Sequence, residues 1–145
     1  MGTITSANST FAIAITNLFP VPQSVQGYSS DSMFAMDAVD IAEVVMGADG
    51  KMSAGYIFNP QKQTVTIMPD SPSYSMFLLW ANTMKAARDV YWANATIIMP
   101  AIKKKFTLKN GVMANFKAMP DAKKTLQAAE FHLTWESVTS EDYNG

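Results

Sequence analysis

The side chains able to do chemistry are few in this 145-residue chain, and they are dispersed. His132 is the single histidine, in an alternating segment beside Glu130, Thr134 and Glu136. A general base of that kind needs a nucleophile to activate. The chain has no cysteine and no Gly-x-Ser-x-Gly turn to present a serine. One histidine without cysteine also excludes multi-histidine and thiolate metal sites. His132 therefore reads as a structural or exposed strand residue. Asp31, Asp37, Asp40 and Glu43 form a second candidate group. Paired carboxylates can move protons or hold a hard cation, but this spacing matches no calcium loop. A solvated face, or the electrostatic lining of a shared surface, suits them better than catalysis. Lys103, Lys104 and Lys105 form the third group. On a strand these side chains alternate, so they cannot make one patch. They read as a guarded edge, as partners for the acids of a neighbouring molecule, or, with least support, as a nucleic-acid contact. The 7 glycines are scattered, and none forms a phosphate-cradling loop. No catalytic set, metal ligand set or cofactor motif emerges.

The chain that must position these groups has one domain's length. Its 48% apolar and 16% charged residues describe a folded protein rather than a disordered one. A chain of this size buries about 68–70% of its unfolded surface, enough to hold a core without staples. A net charge of −1 provides no basic field for nucleic acid. The charges are unevenly placed. The first 50 residues hold Asp31, Asp37, Asp40, Glu43 and Asp49 and no Lys or Arg, which sums to −5. The remainder holds all 11 basic residues against 7 acids, which sums to +4. Such a split fits self-complementary packing. The 11 methionines supply adaptable filler for cores and for contact surfaces. Phe11–Ile15 is too short for a secretory h-region, and the apolar run Met76–Ala81 falls far below the ~18 residues of a spanning helix.

Met1–Thr10 is small, polar and uncharged, and is expected to be an arm. Phe11, Ile13 and Ile15 alternate with smaller groups in a strand that Pro20 and Pro22 should stop. Met33–Gly47 reads as one long strand with apolar groups on both faces. Its acids at 37, 40 and 43 demand a bulge or some helix, since three is not a strand period. Asp49-Gly50 predicts a hairpin turn with both residues at positive φ, returning along Lys51–Phe58. Asn59-Pro60 then turns into Gln63–Met68. Asp70-Ser71-Pro72 opens a helix expected to end near Tyr91 and, being apolar most of the way round, to be covered on more than one side. Ala95–Met99, Ile102–Leu108, Val112–Met119 and Ala128–Thr139 follow, with Asn110-Gly111 as a second hairpin turn and Asp121–Thr125 as a loop or helical turn. Trp80, Trp92 and Trp135 are expected in the core. Seven or so strands and one helix predict a mostly-β (α+β) domain, a sandwich or barrel with a covering helix. Fully extended, residues 33–47 would reach about 50 Å at ~3.3 Å per residue. The radius of gyration of such a domain is only about 15 Å. A hairpin this long leaves edges and surface that need a partner.

The start Gly2-Thr3-Ile4-Thr5-Ser6-Ala7-Asn8-Ser9, the hairpin turning at Ala48-Asp49-Gly50-Lys51, the Pro-initiated helix and the closing Phe131-His132-Leu133-Thr134-Trp135-Glu136 together resemble the tail tube proteins of contractile-tailed bacteriophages. The resemblance spans nearly the whole chain and extends to the tube protein of type VI secretion. It implies a single tail tube domain (residues 1–145) with an N-terminal arm (1–10), a long hairpin (28–58) and a flanking helix (71–91). It implies hexameric rings whose hairpins join one channel-wide barrel, stacked inside a sheath. The lumen would hold a tape measure protein and then DNA, without sequence-specific binding. The protein would be assembled in the host bacterial cytoplasm and reside in the virion, with no enzyme activity, cofactor or membrane contact. DNA carries one charge per ~1.7 Å of duplex, so a conduit for it should be acidic. That makes Asp31, Asp37, Asp40 and Glu43 the expected channel lining, with Lys103, Lys104 and Lys105 at subunit interfaces. The competing expectations are a stand-alone β-barrel module binding a small apolar ligand and a small enzyme built on the acidic cluster.

Overall fold

Alternation of apolar and polar residues carries most of the chain into antiparallel strands, each with one face inside. The computed structural model describes residues 9–25, 34–116, 119 and 126–144. In chain order the strands are β1 (Thr10–Ile15), β2 (Phe19–Ser24), β3 (Phe34–Met36), β4 (Ala42–Met46), β5 (Met52–Tyr56) and β6 (Gln61–Ile67). Helix α1 (Pro72–Ala87) follows, then β7 (Ala93–Met99), a 3-10 turn at Pro100–Ile102, β8 (Lys104–Phe116) and β9 (Ala129–Asp142). Seven strands form one sheet in the order β2-β1-β7-β8-β9-β6-β3, and β4 and β5 form a separate two-stranded sheet. The mostly-β fold with one helix is as the sequence predicts.

The core lies on one face of the large sheet. Phe11, Ile13 and Ile15 of β1, Val65 and Ile67 of β6, and Phe131, Leu133 and Trp135 of β9 are all buried there. Helix α1 lies over this face. Ser71 caps it by accepting the Ser73 N–H at 3.1 Å, with Pro72 in the first turn. Phe77, Trp80 and Ala81 are buried, and the Phe77 and Phe131 rings meet edge-on at 5.1 Å.

Several local expectations are corrected. Pro20 and Pro22 do not stop the sheet. They lie in β2, which among the described strands pairs only with β1, and an edge strand tolerates a missing N–H. Asn110-Gly111 is no turn, because β8 runs through it. Asn110 is left-handed (φ 53°), its N–H donates to Asn94 Oδ1 at 3.1 Å, and the register with β7 slips there by one residue. The bulge keeps apolar residues inward, with Leu108 buried before it and Met113 after it. Helix α1 ends at Ala87 rather than near Tyr91, because Arg88 turns left-handed and returns its N–H to Met84 O. Among the described residues, the helix is buried along the side of Ser73, Phe77, Trp80 and Ala81, whereas Leu79 is 47% exposed. Trp92 is 51% exposed and is not a core residue. Most of the arm (residues 1–8) and the 121–125 segment lie outside the described residues.

Candidate functional site

The long segment expected over Met33–Gly47 is broken. Phe34–Met36 joins the large sheet by pairing with β6, and Asp37 N donates to Lys62 O at 2.9 Å to extend that ladder. Residues 37–41 are irregular, and the chain then leaves as β4. The break falls where the three-residue spacing of the acids ruled out a regular strand. From Ala42 to Tyr56 the described strands β4 and β5 hydrogen-bond only to each other.

The tip of the hairpin is tight. Gly47 N bonds Lys51 O at 2.8 Å and Gly50 N bonds Gly47 O at 3.0 Å, which leaves a three-residue loop. Only Gly50 takes positive φ (84°), whereas a two-residue Asp-Gly turn would have put Asp49 there too. Asp49 Oδ1 instead accepts the Lys51 N–H at 3.1 Å. At the foot, Ile57 N donates to Ile41 O at 3.1 Å and Asn59 Nδ2 to Asp40 O at 2.9 Å. Tyr56 and Phe58 pack edge to face at 4.9 Å, yet Phe58 is 88% exposed.

Every residue of β4 and β5 is exposed, on both faces. The register pairs Ala42 with Tyr56, Val44 with Ala54 and Met46 with Met52, so these six share one face. The other face pairs Glu43 with Gly55 and Val45 with Ser53, around a shallow groove of about 290 Å³. Isolated two-stranded hairpins are marginally stable in water. One with both faces bare is a surface awaiting cover.

The structure scatters the four expected acids. Glu43 lies on the hairpin and Asp40 at its foot. Asp37 lies on the large sheet across from Lys62, and Asp31 is outside the described residues. The lysines separate too. Lys103 caps the 3-10 turn in a left-handed conformation, Lys104 Nζ pairs with Asp142 Oδ1 at 2.6 Å, and Lys105 Nζ reaches Glu141 Oε1 at 3.8 Å. The Lys104 hydrogen bond, and then its charge, hold the Asp142 carboxyl below the ordinary aspartate range. His132 Nδ1 is hydrogen-bonded to Thr64 Oγ1 at 3.2 Å across β6 and β9. Among the described residues, no group of three or more His, Asp or Glu could hold a metal ion. An apolar cavity between Met36, Ile97, Phe106 and Val138 holds about 170 Å³. Pockets for small ligands run to roughly 300–1,000 Å³. A broader surface depression of about 620 Å³ lies between Pro60, Trp92 and Trp135. Sequence reasoning missed it, since only the fold brings those residues together.

A family model described as tail fiber protein gp32 matches residues 2–139. The chain belongs to the tail fiber protein gp32 family. No curated protein matches it. Solved structures share the gp32 fold. A chain of the anti-feeding prophage (AFP) baseplate aligns over 100% of this chain and 99% of its own, at TM-score 0.59 and 13% identity. A chain of the PVC sheath-tube complex, an extracellular contractile injection system, aligns over 91% and 88% at TM-score 0.58 and 12% identity. A chain of the PVC sheath/tube terminator aligns over 90% and 92% at 0.54 and 10%. At these identities the likeness is one of fold. The gp32 chain thus shares its mostly-β fold, with one helix, with chains of contractile injection systems.

Proposed function

We propose that this protein is a structural subunit of a contractile tail or injection apparatus, and that it builds the tube. The carrying observation is the Ala42–Tyr56 hairpin, exposed on both faces and paired with nothing but itself among the described strands. In this reading six copies close a ring by head-to-tail contacts. Their hairpins, within residues 28–58, join one barrel that removes every free edge. Rings stack inside a sheath, with the arm at 1–10 ordering on assembly. A tape measure protein and then DNA occupy the lumen, and the tube is a virion component. Family membership and the shared fold of the AFP and PVC chains support this reading.

Glu43 leads the proposed channel lining, with Asp37, Asp40 and Asp31 behind it. Lys103 leads the proposed interface lysines, since Lys104 and Lys105 already face acids of their own chain. Size exclusion and negative-stain microscopy of the purified chain test the proposal. Rings or filaments of constant diameter, formed above a threshold concentration, are expected. A monomer at every concentration overturns it. Replacing Asp37 and Glu43 together by Lys should leave tubes intact but slow DNA passage, with the delay easing as salt rises. If no tubes form, the acids are contact groups and the lumen assignment fails.

A further inference from the structure

The two faces of the hairpin differ in chemistry, and the register assigns each residue to a face. All charged residues between Ile41 and Ile57 are odd-numbered: Glu43, Asp49 and Lys51. The even face carries Ala42, Val44, Met46, Met52, Ala54 and Tyr56 and no charge. Water covers both faces equally in the single chain, although only the odd face suits it. A body of opposite charge is at hand in the chain itself. Residues 37–58 hold four acids and one lysine, which sums to −3. The remaining residues hold eight acids against ten basic residues, which sums to +2. A second copy therefore offers the hairpin an attractive field and, through Leu79, Trp92 and Met119, apolar surface to pack against.

We infer that the even face is covered by a second copy of this chain on assembly, while the odd face, with Glu43 and Ser53, stays open to the channel. The inference rests on the tube reading and adds to it which residues do which job. Ser53 and Ala54 are adjacent in β5 and point to opposite faces. Because the chain has no cysteine, S53C and A54C each give a unique thiol. Maleimide labelling of both variants is compared before and after assembly. Both thiols should react in the monomer. On assembly the A54C thiol should lose its reactivity and the S53C thiol should keep it. Reversed protection, or equal protection at both positions, overturns the assignment. An A54C thiol already shielded in the monomer overturns it too, since the chain itself would then provide the cover.

Val44→Asp and Val45→Asp give an independent reading. Both sites are exposed, so either monomer should fold, as circular dichroism would report. Val44→Asp should abolish assembly and Val45→Asp should permit it. The opposite pattern overturns the face assignment alone. A parent chain that never assembles overturns the tube reading and the assignment with it.

Discussion

Gly111 lies directly across the ladder from Trp135, against the face of its indole. A methyl group added at Gly111 would fall 2.7 Å from Trp135 Cδ2 and closer still to Cε3 and Cζ3. The ring cannot swing aside, because Trp135 is fully buried and its Nε1 donates to Gln63 Oε1 at 2.9 Å. Glycine is needed here for space.

Gly111→Ala should therefore destabilise the fold by about 1–3 kcal/mol, the usual range for overpacking a filled core. At this chain length that lowers the melting temperature by roughly 2–4 °C per kcal/mol. Thermal unfolding by circular dichroism measures it. A variant melting with the parent would mean the indole has room to move.

The same indole makes a second prediction. Trp135→Phe leaves the buried Gln63 amide without that donor, which should cost about 1–3 kcal/mol beyond the lost packing. Adding Gln63→Leu removes the stranded amide and should recover part of the loss. Urea unfolding of the two single variants and the double variant gives the coupling.

At the helix start, Ser71→Ala removes the acceptor for the Ser73 N–H and should cost about 0.5–2 kcal/mol. Ser71→Asp, which can still accept that bond, should be milder. Chemical denaturation midpoints at fixed pH compare them.

The outer end of β9 should respond to pH. Lys104 holds Asp142 in its charged form, so the folded-state pKa lies below the unfolded value of about 3.9. Stability from this pair is present above that value and is lost as pH falls through the lower folded pKa. Carboxyl NMR titration should place Asp142 below its ordinary midpoint. Lys104→Met, or high salt, should bring it back up.

Much of the fold was legible because its signals are local. Period-two alternation marked β1, β6 and β9, Ser71-Pro72 marked the helix start, and the spacing of Asp37, Asp40 and Glu43 marked a break before its form was visible. Asn110-Gly111 misled for an identifiable reason. A left-handed residue is demanded equally by a hairpin turn and by a bulge in a continuing strand, and the dipeptide carries no sign of which. Pro20 and Pro22 misled similarly, since a missing N–H matters only where a neighbouring strand would use it.

The sequence by itself determined the mostly-β character with one helix, the cap, the place of the hairpin turn at Asp49-Gly50 and the absence of a cysteine-based or multi-histidine site. These follow from composition or from interactions within a few residues. The tertiary structure decided that β3 joins the large sheet while β4 and β5 leave it, that Trp92 faces solvent while Trp135 does not, and that Lys104 and Lys105 meet Asp142 and Glu141. Each depends on pairing between segments far apart in the chain. The physical reason is that a strand's own residues specify two faces, but only its neighbours determine which face is buried.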